Sequence, residues 1–307
     1  MATYIIRRLI QVIPITFGIL TMIFLLIHLI PGDPAVQIAG ENARAADVER
    51  VRRQLGLDRP LWEQYVAYLA GIAKGDLGTS FRTQRAVTDE VFDRYPATLQ
   101  LAFGGMLVAL LVAFPLGIAS AVWRNSWIDN VARFFALIGV SMPNFWLGPL
   151  LIIAFAIHTD LFPVSGRDEG WRSLVLPSVT LGTALAAILT RMIRVSLAEE
   201  LSQLYITTAL AKGVGRAKAI FVHGLRNALI PVITIVGLQF GTLLTGAIIT
   251  EQIFSWPGLG RLLIQSITAR DYPQVQASIL VIALTYILIN LATDIVYGFV
   301  DPRISYD

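Results

Sequence analysis

The sequence contains no cysteine among its 307 residues. Disulfides, thiolate metal sites and cysteine nucleophiles are therefore excluded. Charge is scarce as well. Asp, Glu, Lys and Arg make up 15% of the chain, against about 25% in a soluble domain. That shortfall, with 55% hydrophobic residues and a mean hydropathy of +0.67, puts lipid rather than water around much of the chain. The net charge is only +3 and no dense Lys/Arg run occurs, which argues against a nucleic-acid partner. His28, His158 and His223 are the only histidines and lie far apart, with no His-Glu-x-x-His or other metal spacing. A phosphate loop needs four residues between its glycines, then Lys and Ser/Thr. In Gly213-Val-Gly215-Arg-Ala-Lys218-Ala219 one residue separates the glycines, and Ala219 follows the lysine. The chain is expected to hold no metal and no cofactor, and an enzyme is a poor fit.

What the sequence has in abundance is long apolar runs. A bilayer crossing needs about 20 apolar residues. Six stretches qualify or nearly so: Leu9–Ile30, Ala97–Val122, Phe134–Ile157, Leu174–Thr190, Ala228–Thr250 and Val275–Val300. The fourth is the shortest, and the sixth alone carries a charge, Asp294. The first follows Arg7-Arg8 like a signal peptide but is too long for a 7–15-residue h-region, so it reads as a retained span. The expected class is an all-α integral membrane protein with six transmembrane helices. Arg7, Arg8, Arg124, Arg133, Arg191, Arg194, Lys212, Arg216, Lys218, Arg226 and Arg303 fall on one side, eleven residues in all. The short loops opposite carry four: Arg167, Arg172, Arg261 and Arg270. By the positive-inside rule both termini face the cytoplasm.

No tandem repeat or low-complexity linker interrupts the chain, which reads as one membrane domain over 1–307. A sizeable external loop spans 31–96. Pro31-Gly-Asp-Pro34 ends the first span with turn chemistry. A helix is expected over about Ala43–Leu55, stopped by Gly56. Another follows Asp58-Arg-Pro60, with Leu61, Trp62, Tyr65, Val66, Leu69 and Ile72 on one face, up to Lys74-Gly-Asp-Leu-Gly78. It suits a cap on the bundle lying at the membrane interface. Pro143 and Pro149 predict a kink in the third span, serving either to line a pathway or as a plain bend. Gly237, Gly241 and Gly246 predict close helix approach in the fifth.

Between the fourth and fifth spans lies a polar, helix-forming segment, 191–227. A helix over Glu199–Lys212 is expected to stop at Gly213, and a second to run over about Arg216–Leu229. Leu201, Leu204, Tyr205, Thr208 and Ala211 give the first a modestly apolar face. By periodicity alone this is either a solvated linker or a surface for a protein partner.

The residues here carry a resemblance. Thr207-Thr208-Ala209, Gly213 and His223-Gly-Leu225 resemble the coupling loop of bacterial ABC importer permeases, in the form used by the peptide branch. Pro31-Gly-Asp-Pro34, Leu55-Gly-Leu-Asp58, Gly75-Asp-Leu-Gly78, Pro96-Ala-Thr-Leu99, Arg191-x-x-Arg194, Glu251-x-x-Phe254-x-x-Pro257-Gly-Leu-Gly260, Arg270-Asp-Tyr-Pro273 and Asp301-Pro-Arg303 follow in the family's order. The chain is similar to the first permease subunit of dipeptide, oligopeptide or glutathione importers. The resemblance implies a bacterial inner-membrane assembly. Its other members would be a second homologous permease, two ATP-binding subunits that hold ATP and Mg, and a periplasmic or lipid-anchored solute-binding protein. It implies that Tyr205, Thr208, Ala209, Ala211, Lys212, Gly213, His223, Arg226 and Asn227 dock on an ATPase. Asn144, Gln239, Asn290 and Asp294 are candidates for the translocation pathway, with a local structural pair to Arg303 the other reading of Asp294. Glu251, Trp256, Pro257 and Gly258 are expected to form a re-entrant turn that gates the path, meets the binding protein or serves as a plain loop cap, with Trp256 placed at the interface. Nickel complexes or oligosaccharides are the alternative cargo. A stand-alone carrier would show inverted repeats and paired intramembrane charges, and a scaffold would not need the cytoplasmic helices.

Overall fold

The computed structural model describes residues 2–29, 34–39, 43–54 and 56–300. The Pro31-Gly32-Asp33 turn, Leu55 and Asp301-Pro302-Arg303 lie outside them. Every regular element among the described residues is helical. In order these are α1 (Ala2–Leu29), α2 (Pro34–Ala39), α3 (Ala45–Gln54), α4 (Leu61–Ala73), α5 (Val87–Val122), α6 (Trp127–Ser141) and α7 (Asn144–Leu151), which continues as a π-helical turn over Ile152–Ile157. Then come α8 (Trp171–Leu201), α9 (Leu204–Ala211), α10 (Arg216–Lys218), a second π-helical turn over Ala219–Gly224, α11 (Leu225–Ile253), α12 (Leu259–Thr268) and α13 (Tyr272–Val300). Five helices are long and apolar enough to cross a membrane, and the α6–α7 pair, bent by 106°, makes a sixth crossing if it counts as one span.

The chain folds into two compact units. One comprises Met1–Ile5, Ala97–Pro257 and Leu288–Asp307, the other Ile6–Pro96 and Gly258–Ile287. In the first, α8 is the central helix. Leu181, Leu185, Leu189 and Ile193 of α8 pack on Leu101, Ala109 and Ala113 of α5 and on Val232, Leu243 and Ala247 of α11. Lipid offers no hydrophobic drive for helices to associate, so close packing must hold them. Gly182 permits it: a Cβ there would collide with the carbonyl oxygen of Gly105. Gly237, singled out in the sequence, does the same for α11 and α13, where a Cβ would collide with Thr293.

Four of the expected helices differ in the structure. The fourth span, expected at Leu174–Thr190, is a 31-residue helix with 67% of its most hydrophobic window buried. It passes through Arg191 and Arg194 because Arg194 is neutralised inside the unit by Asp129. The third span is broken rather than kinked. The residue before a proline is pushed out of the helical region, and Met142, ahead of Pro143, is extended at φ −85 and ψ 114. The helix expected over Arg216–Leu229 is not separate from the fifth span. It runs through the Ala219–Gly224 turn straight into α11, because nothing between Leu225 and Leu229 ends a helix. The helix expected from Glu199 is likewise split, with α8 ending at Leu201 and α9 beginning at Leu204.

In the second unit α4 lies across α1 as the amphipathic pattern predicts. Tyr68, Leu69 and Ile72 pack with Leu20, Ile23 and Leu280, while Trp62 stays exposed. The Tyr65 hydroxyl meets Thr21 Oγ1 at 2.6 Å. Burial, with Tyr65 nearby, pushes the Tyr68 phenol up to about 12. The helix expected over Ala43–Leu55 is observed as Ala45–Gln54, and Gly56 after it takes φ +66. Two sequence motifs far apart in the chain meet in this unit. Asp271 is buried and accepts from Ser80 Oγ at 2.5 Å and from the Phe81 backbone N–H at 3.1 Å, clasping the 79–86 loop. Pro273 lies against Gly78.

Candidate functional site

The polar segment after α8 forms a short exposed helix with defined ends. Ser202 closes α8, its hydroxyl donating to Glu199 O at 2.6 Å, and Gln203 starts α9. α9 stops in a Schellman motif: Val214 N–H donates to Ala209 O at 3.1 Å, and Gly213 N–H to Leu210 O at 3.0 Å. Gly213 has φ +86, and a Cβ there would touch nothing within 4 Å. The glycine is needed for its backbone conformation, not for space.

Of α9, only Ile206 is buried. Leu204 is 83% exposed, and Tyr205, Thr208, Leu210 and Ala211 are exposed with it. Lys212, Gly213, Arg216, Lys218, Phe221, Val222, Arg226 and Asn227 continue this open surface, while Ala209 and His223 are half-buried. Seven of the nine predicted coupling residues are therefore exposed in this segment.

Tyr205 joins that segment to the spans. Its hydroxyl donates to Glu200 Oε2 at 2.5 Å, at the end of α8, and accepts from Asn227 Nδ2 at 3.1 Å, at the start of α11. Burial, and then Glu200, raise the phenol pKa. Gly224 seats the start of α11 against α8, where a Cβ would stand 3.0 Å from Leu201 Cδ2. One side chain thus bonds α9 to two spanning helices.

A second polar joint nearby was not singled out in the sequence. Asp129 on α6 is fully buried. Its carboxylate accepts from Arg194 Nε at 2.6 Å, Arg194 Nη2 at 2.8 Å, Ser120 Oγ at 2.5 Å and the Asn125 N–H at 2.9 Å. It ties the end of α5 and the start of α6 to α8. The only signals were Ser126, whose hydroxyl caps α6 by accepting from Asp129 N–H, and the Arg191-x-x-Arg194 spacing.

The pathway candidates are more dispersed. Asn144 opens α7 and lies close to Gly246 of α11. Gln239 accepts from Thr242 Oγ1 at 2.8 Å on its own helix. Asn290 Oδ1 on α13 is buried with no hydrogen-bond partner among the described residues. Gln100 Oε1 on α5 and Ser178 Oγ on α8, neither predicted, are in the same state. Asp294 is half-buried on α13. The Arg303 considered as its pair lies outside the described residues.

The outer turn needs correction. Trp256 is fully buried, not interfacial, and its indole N–H donates to Ala97 O at 2.8 Å. Glu251 is fully buried and accepts from Thr98 Oγ1 at 2.7 Å. Gly258 is buried and Pro257 half-buried. Trp256 and Glu251 thus hold Ala97 and Thr98 of the Pro96-Ala-Thr-Leu99 motif. Among the described residues no group of three or more His, Asp or Glu is placed to hold a metal.

The described residues thus form a helical membrane bundle with an exposed, glycine-terminated helix bonded to two of its long helices. Solved structures agree on the fold. The inward-facing MetNI methionine ABC transporter matches 69% of this chain and 96% of its own, with TM-score 0.57 and 18% identity. An amino acid ABC transporter solved with histidines matches 71% and 95%, with TM-score 0.53 and 18% identity. The chain belongs to the binding-protein-dependent transport system inner membrane components: that family's model matches residues 113–306, and the model of its N-terminal part matches residues 1–102. The glutathione transport system permease protein GsiC of Escherichia coli (strain K12) is 46% identical over 306 residues, covering 100% of both chains. GsiC of Shigella flexneri serotype 5b (strain 8401) matches equally, at 46% over the same span. The chain is thus a non-catalytic, multi-pass permease subunit of an inner-membrane ABC importer of the peptide and glutathione type, and works within a complex of several subunits.

Proposed function

We propose that this permease forms half of a translocation pathway for short peptides of the glutathione or dipeptide kind, delivered by a periplasmic or lipid-anchored solute-binding protein. A second homologous permease supplies the other half. Two ATP-binding subunits hold ATP and Mg, and one of them grips α9. Both termini face the cytoplasm, and the chain acts as a single permease domain. The observation that carries this reading is the Tyr205 hydroxyl, shared between Glu200 of α8 and Asn227 of α11 on an otherwise open helix.

Closure of the ATPases on ATP moves α9, and Tyr205 passes the displacement to both helices. ATP does this work only so far as it binds the outward-facing assembly better than the inward-facing one. Asn144, Gln239, Asn290 and Asp294 line the path toward the second permease. The buried, unpartnered Asn290 Oδ1 and Gln100 Oε1 support that, because such atoms are costly in a span unless a cavity or partner serves them. Glu251 and Trp256 brace the outer end, and any gating at Pro257-Gly258 occurs around them. The glutathione permease relatives favour a peptide cargo over nickel complexes or oligosaccharides.

The test is reconstitution of the four-subunit complex in proteoliposomes with its binding protein. ATP-dependent uptake of labelled glutathione and dipeptides is expected, with Gly213→Val uncoupling ATP hydrolysis from uptake and Gly213→Asn retaining most activity. Asn tolerates the left-handed region, whereas a β-branched residue does not. Full uptake by Gly213→Val would refute the docking role of α9, and uptake of oligosaccharide alone would refute the cargo.

A further inference from the structure

Beside the contact of α6 and α8 lies a cavity of about 370 Å3 that transport does not account for. The two helices are pinned at two points. Asp129 holds Arg194 at one end, and at the other a Cβ on Gly139 would stand 3.0 Å from Ala187 Cβ. Ala132, Leu137, Val140 and Val195 form an apolar wall along the cavity, and the last three are 66%, 47% and 48% exposed within this chain. Arg133, Arg191 and Arg194 line the same cavity, and no carboxylate does.

The charge at its mouth is not cancelled. Asp129 serves Arg194 directly and reaches Arg133 only at 3.5 Å. Arg191 makes no ion pair among the described residues and is exposed. Among the described residues Asp129 is thus shared between Arg194 and Arg133, and no carboxylate pairs with Arg191. Val140 lies seven residues beyond Arg133 on the same helix, roughly 10 Å deeper at 1.5 Å per residue. A site with cations at one level and an open apolar wall one to two turns deeper matches an amphiphile with an anionic head. These arginines belong to the side that the positive-inside count assigns to the cytoplasm, whose leaflet is anionic.

We propose that this cavity binds an anionic phospholipid of the cytoplasmic leaflet, its phosphate at Arg133 and Arg191 and one acyl chain along Leu137 and Val140. The site is separate from α9 and from the pathway candidates, so its test does not depend on cargo.

The assembled transporter, purified in mild detergent, is titrated with phosphatidylglycerol or phosphatidylethanolamine of identical chains and read by native mass spectrometry. Phosphatidylglycerol is expected to be retained selectively on this subunit. A Lys or Arg near an anionic surface changes affinity by about fivefold, so the R133Q/R191Q double variant should lose roughly twenty-fivefold. R133K/R191K should keep the selectivity. Leu137→Trp fills the cavity without touching charge and should also release the lipid, which keeps the proposal testable if R133Q/R191Q fails to fold. Equal retention of the two lipids would overturn the proposal, as would selectivity that survives both R133Q/R191Q and Leu137→Trp. A Leu137→Cys variant that cross-links efficiently to the second permease would overturn it too, since protein rather than lipid would then cover the wall.

Discussion

Asp129 carries its charge where water does not reach, and it can do so because four hydrogen bonds converge on its carboxylate. Removing one partner of such a pair strands the other, at a cost of about 3–5 kcal/mol. Asp129→Ala should therefore lower the thermal unfolding midpoint in detergent sharply. The D129A/R194A double variant should recover part of the loss, because neither charge is then buried alone, and a strictly additive double variant would show that the pair is not coupled. Tyr205 calls for a gentler change. Tyr205→Phe removes the bonds to Glu200 and Asn227 but keeps the ring, so stability should fall by only about 1 kcal/mol. ATP-driven uptake should drop severalfold while the ATPase still co-purifies, and unchanged uptake would remove Tyr205 from the coupling route. This contact should not respond to pH near neutrality. The folded phenol pKa lies above its ordinary value. Its contribution is therefore complete below the unfolded value near ~10 and is lost only as pH climbs through the raised one.

At the level of helices, the break between α6 and α7 is the clearest local cause with a distant effect. Pro143 forces Met142 out of the helical region, and the chain turns through 106°. Pro143→Ala lifts that restriction and lets α6 run on toward α7. The expected result is normal membrane insertion with reduced uptake in proteoliposomes, because Asn144, the first residue of α7, would leave its place near Gly246. Uptake at the parental rate would mean the bend has no part in transport. The apolar runs of α1, α5, α11 and α13 could be read from the sequence because lipid demands long uncharged stretches and little else produces them. The full length of α8 is not legible, because Arg191 and Arg194 look like a boundary and only the tertiary pair with Asp129 lets the helix continue. The end of α9 is legible from Gly213, whose φ of +86 is what a C-terminal glycine signals, but its start at Leu204 is not, because the pattern runs unbroken from Glu199. The Tyr205 joint was not, since Glu200 and Asn227 are five and 22 residues away and meet it only once α8 and α11 are packed. The burial of Trp256 is not legible either, because an aromatic beside a turn reads as interfacial and its partner, the carbonyl of Ala97, is 159 residues away.

At the scale of the whole molecule, the coupling proposal stands on sidedness. α9 can be gripped by an ATPase only if Lys212, Arg216 and Lys218 are cytoplasmic, and the 79–86 loop clasped by Asp271 must then lie outside. The absence of cysteine makes this directly measurable, because a single introduced thiol has no competitor within the chain. Lys218 and Thr83 are both exposed, so neither position should be shielded by the chain itself. In intact cells a membrane-impermeant maleimide should label Thr83→Cys and leave Lys218→Cys untouched until the inner membrane is opened. Uptake by both variants should be measured first, so that a misfolded subunit is not mistaken for an inverted one. With the ATPases present, Lys218→Cys should also be labelled more slowly in opened membranes than when the permeases are expressed alone, because the motor would cover α9 and its neighbours. Labelling of Lys218→Cys from outside would reverse the topology and with it the energy source. Equal labelling with and without the ATPases would leave the topology standing and place the motor elsewhere on the cytoplasmic face.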